Sequence, residues 1–335
     1  MSVVSPLTLA APDSAACEQL RCQPRSGCHR TPQAREAGYA SYVHSAVLIP
    51  LIVLLAACSR PAAPSAPLSP AAPAAPAAPA RVDPGLRGGP PLATPGEHMQ
   101  YKLSLRGVDL ATYDLAVGEV TDVAGKQAIV VQGHAKVSGF ASVLANIDDR
   151  FTSWVDVTTG RPLRFQADEY ASGSKTDIEH AVVDLGARAG DAIPVTFHLN
   201  DAPVKNESQR ATQAVVWDYN AFLLALRAWE APAGSALALE VFRSRYMWHV
   251  DVKIHGKEKR VTALGELPAL RIDGTTYKVD RKGVRDPDSQ QRTFSMWISD
   301  DDGRVPLEIV ATTDYGDLKM QLVDYQPGSG QRFRP

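Results

Sequence analysis

The chain has 335 residues, with 37 Asp and Glu against 35 Lys and Arg and a net charge of −2, so it lacks the basic face that nucleic-acid binding calls for. Its four cysteines, Cys17, Cys22, Cys28 and Cys58, all lie in the first fifth of the sequence. Whatever folds after Cys58 must therefore hold together by its core rather than by disulfides, and it is long enough to bury one.

Residues 1–57 read as an extension followed by a signal peptide. Ala46–Cys58 is an apolar run of AVLIPLIVLLAAC, of the length of a signal-peptide core and too short to span a bilayer. Its close, Leu55-Ala56-Ala57-Cys58, resembles a bacterial lipobox. That resemblance implies cleavage between Ala57 and Cys58, lipid on the Cys58 sulfur and an acylated new amine, enough chains to anchor a protein stably. Ser59 rather than Asp follows the cysteine, which by the sorting rule of enteric bacteria favours the outer membrane. The forty-odd residues ahead of the core are foreign to a signal peptide, whose positive charge sits just before its core. Here Arg35 is the nearest firm cation and His44 stands in its place, so a start near Val43 is the simplest expectation. Cys17-x4-Cys22-x5-Cys28-His29 is spaced more widely than zinc motifs.

Residues 58–95 read as a lipidated cysteine and a tether. Proline recurs every third residue from Pro70 to Pro79, a pattern that breaks helix and favours polyproline II, so this segment is expected as a disordered but extended spacer. From residue 96 the pattern turns to β, with Tyr101, Leu103 and Leu105 alternating with Lys102, Ser104 and Arg106. Strand-like runs follow at Tyr113–Val120, Ala128–Val137, Arg150–Val157, Pro162–Tyr170, Thr176–Leu185, Ile193–Leu199 and Leu237–Phe242. Further ones are Arg245–His255, Arg260–Leu264, Ala269–Ile272, Tyr277–Val284, Phe294–Ser299, Pro306–Thr313 and Asp317–Tyr325. Turn signals such as Val123-Ala124-Gly125, Thr159-Gly160 and Asp302-Gly303 separate them. The expected fold is mainly β, a large curved antiparallel sheet or open barrel over residues 96–327, with 328–335 as a disordered tail.

One helix near residues 218–230 interrupts the strands. Asp218 looks like its N-cap, Tyr219, Phe222, Leu223, Leu226 and Trp229 share one face, Asn220, Arg227 and Glu230 lie off it, and Pro232 ends it. The residues Phe222, Leu223, Leu226 and Trp229 are expected either to plug the sheet as core or to form an apolar lid over a cavity.

Residues 96–327 also resemble the bacterial family catalogued as domain of unknown function 3108. The resemblance is carried by Gly96-Glu97 with Tyr101, by Asp148-Asp149-Arg150-Phe151-Thr152-Ser153 and Pro162-Leu163-Arg164-Phe165, by the apolar Ala221–Arg227, and by Trp297-Ile298-Ser299-Asp300-Asp301 with Arg304-Val305-Pro306. It implies an envelope protein with a β-rich curved-sheet domain, and brings no catalytic residues.

Weighed as chemistry, His249, Asp251 and His255 alternate along one strand and are the only metal candidates, though such a row is commonly a solvated face. Ser172-Gly173-Ser174-Lys175 fits S-x-x-K but bridges two strands and lacks the partner motifs. Asp300-Asp301-Asp302-Gly303 reads as a turn rather than a calcium loop, and Lys253, Lys257, Lys259 and Arg260 as a solvated basic hairpin with interspersed acids. No nucleophile-elbow, Walker, zincin or dinucleotide motif occurs. The expectation is a non-enzymatic envelope lipoprotein without cofactor, held to the membrane by its lipid anchor, that binds a lipid-like molecule or envelope component. The alternative is a structural or assembly partner of another outer-membrane protein, and an enzyme of unrecognised type comes third.

Overall fold

The computed structural model describes Leu86 and residues 88–139, 142, 146–172 and 176–334. The expected signal peptide, the expected cleavage site at Ala57 and Cys58, the expected Pro/Ala tether up to residue 85, and residues 173–175 of the S-x-x-K stretch lie outside these residues. Fifteen strands form one sheet: β1 (His98–Leu105), β2 (Val108–Val123), β3 (Lys126–Val137), β4 (Asn146–Asp156), β5 (Pro162–Ser172), β6 (Thr176–Val183), β7 (Ala192–Leu199) and β8 (Lys205–Arg210) come first. Then follow β9 (Val216–Asp218), the helix α1 (Tyr219–Arg227), β10 (Ala236–Arg243), β11 (Tyr246–Thr262), β12 (Gly265–Lys278), β13 (Arg292–Ser299), β14 (Pro306–Thr313) and β15 (Gly316–Gln326).

The alternation read from the sequence becomes the two faces of the sheet. Ile147, Asp149, Phe151, Ser153 and Val155 of β4 are buried while their neighbours are not, as a period of two requires. Tight turns join the strands; Ala124 and Gly125 both take positive φ (52° and 81°), as a two-residue hairpin turn demands. Strand order runs β8 back to β1, then from β15 back to β9, so the first and last strands pair antiparallel and the sheet's free edges fall mid-chain. Every pairing is antiparallel except β9 with β10. A parallel pair needs a crossover, and α1 supplies it, which carries the helix across the sheet.

The two ends of the sheet are drawn together without a ladder. Glu179 of β6 pairs with Arg245 (3.0 Å) and accepts from Ser244 Oγ (2.8 Å), both in the β10–β11 turn. The Arg210 N–H of β8 donates to Arg281 O (3.0 Å), and the link between β8 and β9 is gripped by the buried Glu240, which accepts from Thr212 N and Oγ1 and from Gln213 N. The remaining edge of β8 is charged and polar, which discourages edge-to-edge pairing.

Several expectations need correction. Arg245–His255 and Arg260–Leu264 are one strand, β11, bent at a bulge between Ile254 and Gly256; β12 ends at Lys278, so Tyr277–Val284 is mostly turn. β8 and β9 were not foreseen. The helix stops at Arg227, capped by Ala228, well before Pro232. The spacer's last residues belong to the fold, since Leu92 and Ala93 are buried. The tail is anchored too: Gly330 N donates to Pro95 O (3.1 Å), Phe333 N to Ala93 O (3.3 Å), and Phe333 packs on the core.

Candidate functional site

α1 lies inside the curl, and its two flanks meet different surroundings. Asp218 caps it as expected, Oδ1 accepting from Ala221 N (2.8 Å) and from Ser153 Oγ of β4 (2.7 Å). Burial pushes the Asp218 carboxyl up to about 7, and its Oδ2 is buried without a hydrogen-bond partner. Asn220 and Arg227, which the sequence placed off the apolar stripe, are almost wholly buried. Asn220 Nδ2 donates to Val131 O (3.3 Å), Phe151 O (3.0 Å) and Ser153 Oγ (3.0 Å), and Tyr113 donates its hydroxyl to Asn220 Oδ1 (3.4 Å). Gly133 makes room for this knot, because a Cβ there would stand 2.1 Å from the Tyr113 hydroxyl.

Arg227 forks onto the Glu97 carboxylate (2.6 and 3.1 Å) and donates to Arg304 O (3.0 Å) and Gly303 O (2.9 Å). Arg304 answers by donating to Arg227 O (2.9 Å) and Trp229 O (3.0 Å), and the Tyr325 hydroxyl donates to Glu97 (3.1 Å). A buried ion pair survives only with such saturation of its remaining donors and acceptors.

The other flank faces open space. A cavity of about 220 Å³ lies between Tyr219, Phe222 and Leu223 of the helix and the inner face of β10–β14. Val241, Trp248 and Val250 of β10–β11 and Phe294, Met296, Ile309 and Ala311 of β13–β14 line its sheet side. The charged side chains on its lining are Arg243, the last residue of β10, and Arg292, the first of β13. Beyond Arg243 lies a group of acids on the inner face of β4–β6. Burial pushes Asp149 up to about 7, with Glu169 adding to it, and raises Glu169 as well; burial likewise lowers Arg243, to about 10. Glu169 stands directly opposite Glu179 in the β5–β6 register.

Of the residues singled out from sequence, Phe222 and Leu223 line the cavity, whereas Leu226 and Trp229 are buried in the core. His249 and Asp251 do lie together (3.2 Å), but His255 turns to Asp273 (3.3 Å) and His249 stacks on Tyr277 (ring centroids 4.8 Å apart). Among the described residues no three His, Cys, Asp or Glu side chains converge as a metal centre would require. In the Asp300–Gly303 turn, Asp301 Oδ1 accepts from Ser299 Oγ (2.7 Å), Gly303 N (3.0 Å) and Arg304 N (3.1 Å), which commits that oxygen to the turn. Lys257 pairs with Asp300 (2.8 Å), Lys259 with Glu266 (2.7 Å) and Arg260 with Glu308, so most of the basic hairpin's charge is matched locally. Sequence reasoning missed Arg243, Trp248, Arg292 and Met296. Arg243, Trp248 and Arg292 lie at or near strand ends and Met296 lies within β13, places that carry no information until the strands are assembled.

The chain belongs to the family described as "Protein of unknown function (DUF3108)", whose model matches residues 100–323. A comparison with curated proteins gives no match. Among solved structures, the chain is similar to a β-barrel-like protein of domain of unknown function DUF1849 from Brucella abortus, at 9% identity and a TM-score of 0.46, covering 70% of this chain and 99% of that one. It is also similar to a protein described as a candidate lipoprotein from Parabacteroides distasonis, at 7% identity, a TM-score of 0.30, and 72% and 99% coverage. A third is a candidate exported protein with a YmcC-like fold from Bacteroides fragilis, at 5% identity, a TM-score of 0.29, and 71% and 99% coverage. The motif residues that first suggested the family are structural in this chain. Glu97, Arg227 and Arg304 form the bracket at the end of α1, Ser153 holds its cap, and the Tyr101 hydroxyl donates to Pro306 O (3.0 Å).

Proposed function

We propose that the chain is a lipid-anchored protein of the bacterial envelope, without catalytic activity of its own, that binds the apolar part of a lipid-like molecule between α1 and the inner face of β10–β14. The observation that carries this reading is the apolar cavity, walled by Phe222 and Leu223 of the helix and by Val241, Trp248, Val250, Met296 and Ile309 of the sheet. At about 220 Å³ it lies below the roughly 300–1,000 Å³ of sites that enclose a whole drug-sized ligand, so it suits one slender chain rather than a complete two-chained lipid. In this reading α1 is a fixed wall rather than a lid, because opening it would break the bonds of Asn220 and Arg227. The anchor rests on the lipobox-like Leu55–Cys58, and the outer membrane is the proposed location because Ser59 follows the cysteine.

Mass spectrometry of a solvent extract of the purified protein, freed of its anchor by Cys58→Ser, tests the binding. Near-stoichiometric lipid supports it. No lipid, together with one protein crosslinked at high yield in cells, would favour the assembly role instead. The anchor is tested by metabolic labelling with radioactive palmitate, which should mark the native protein and not the Cys58→Ser form.

A further inference from the structure

The cavity is polarised from rim to depth. Arg292, the first residue of β13, stands at its rim, level with Thr276 of β12 and Val250 of β11, whereas Arg243 ends β10 four residues beyond that level, beside Tyr219, Asp149 and Glu169. Thr276, directly opposite Arg292 in the β12–β13 register, shares that rim. The rest of the lining beside α1 is apolar, with Phe222 and Leu223 on the helix and Val241, Trp248, Met296 and Ile309 on the sheet. No carboxylate lines the space, although Asp149 and Glu169 stand behind Arg243. Arg292 is held at 2.9 Å by Asp314, whose side chain is half-exposed. An exposed pair of that kind contributes about 0–1 kcal/mol, so a ligand can take the guanidinium from it at little cost.

We infer that the ligand is a single-chain amphiphile with an anionic head, a carboxylate or a phosphate, seated with its chain along α1 and its head at Arg292. This rests on the binding site proposed above. Arg offers a planar fork to either head and fixes its orientation, while the chain needs only a dry wall.

The test uses the full chain carrying Cys58→Ser, purified without detergent, in equilibrium dialysis against three radiolabelled sixteen-carbon probes below their micellar concentrations. These are palmitate, hexadecanol and hexadecylamine, with monohexadecyl phosphate added to separate the two anionic heads. A charge-assisted hydrogen bond contributes roughly 1.5–3 kcal/mol, so palmitate or the phosphate should bind about tenfold tighter than hexadecanol, and hexadecylamine weakest. Arg292→Gln, at a side chain 24% exposed and outside the core, should bring the anion down to the affinity of the alcohol and leave the alcohol unchanged. If alcohol and anion bind equally well, or the amine binds best, the inference on the head falls while the apolar site stands. If Arg292→Gln weakens the alcohol as much as the anion, Arg292 shapes the wall rather than reading the head, and the inference also falls. If none of the probes binds, the site itself is refuted.

Discussion

On one flank of α1, Asn220, Leu224 and Arg227 fall one turn apart and are buried against β3, β4 and the Gly303–Arg304 turn, with their polar atoms bonded. On the other, Tyr219, Phe222 and Leu223 face a space that β10–β14 leave unfilled. A nine-residue helix is therefore held by polar bonds on one side and left to offer an apolar wall on the other. Hydrogen bonds demand one geometry and admit no slack, whereas apolar contact can be left incomplete at a cost set by the lost area. That division lets one side carry the fold and the other accept a ligand.

Four perturbations would break or sharpen this contrast. The largest effect is expected on the bonded side. Arg227→Leu strands the Glu97 carboxylate in the interior and should cost about 3–5 kcal/mol in urea unfolding. A loss below about 1 kcal/mol would show that the bracket does not hold the helix. Gly133→Ala drives a methyl into the Tyr113 hydroxyl and should cost about 1–3 kcal/mol. Adding Tyr113→Phe should return part of that loss, and strict additivity in the double-mutant cycle would contradict the contact.

Next comes pH. The Asp218 carboxyl keeps its proton in the folded state up to about 7 but would release it near 3.8 when unfolded. The folded state thus holds the extra proton between those values, so this contribution is full below about pH 4 and is lost as pH rises toward 7. Asp149, also raised to about 7, acts in the same sense. Asp218→Asn keeps an oxygen for the cap and cannot ionise, so stability should fall less steeply with pH in the variant, by on the order of 1–2 kcal/mol between pH 5 and 7. Parallel pH profiles for the two proteins would count against the buried proton.

The smallest change in stability is expected on the open side. Ala311→Leu puts three carbons into the cavity and should leave the melting temperature within a few degrees, where the same enlargement in a close-packed core would cost about 1–3 kcal/mol. It should also abolish co-purified lipid. A collapsed Ala311→Leu protein would mean that the space is already full.

Much of the sheet was legible because alternation is a local signal, and β1, β3, β7, β13, β14 and β15 stand close to where the pattern puts them. β8 was invisible because Lys205–Arg210, KNESQR, has no alternating apolar residues; a polar edge strand needs none. β11 looked like two strands because its outer half alternates charges and the bulge at Gly256 interrupts the ladder. At α1, the apolar stripe of Tyr219, Phe222 and Leu223 was readable and does face inward. The burial of Asn220 and Arg227 was not, because their partners Val131 and Glu97 lie 89 and 130 residues away. A polar side chain is tolerable inside only when such partners arrive, and nothing nearby in the chain announces them.

The amino-acid sequence alone determined the β character of the domain, the presence and capping of its helix, the family and the lipobox-like end of an apolar run. These depend on neighbours within a turn or a strand, where steric preference and hydrophobic period act directly. Tertiary structure decided which face of α1 is bonded and which is open, and it brought Arg292 of β13 to the lining of the open side. Both outcomes depend on how a fifteen-stranded sheet curls, and that is settled by summed twist, bulges and contacts between distant strands.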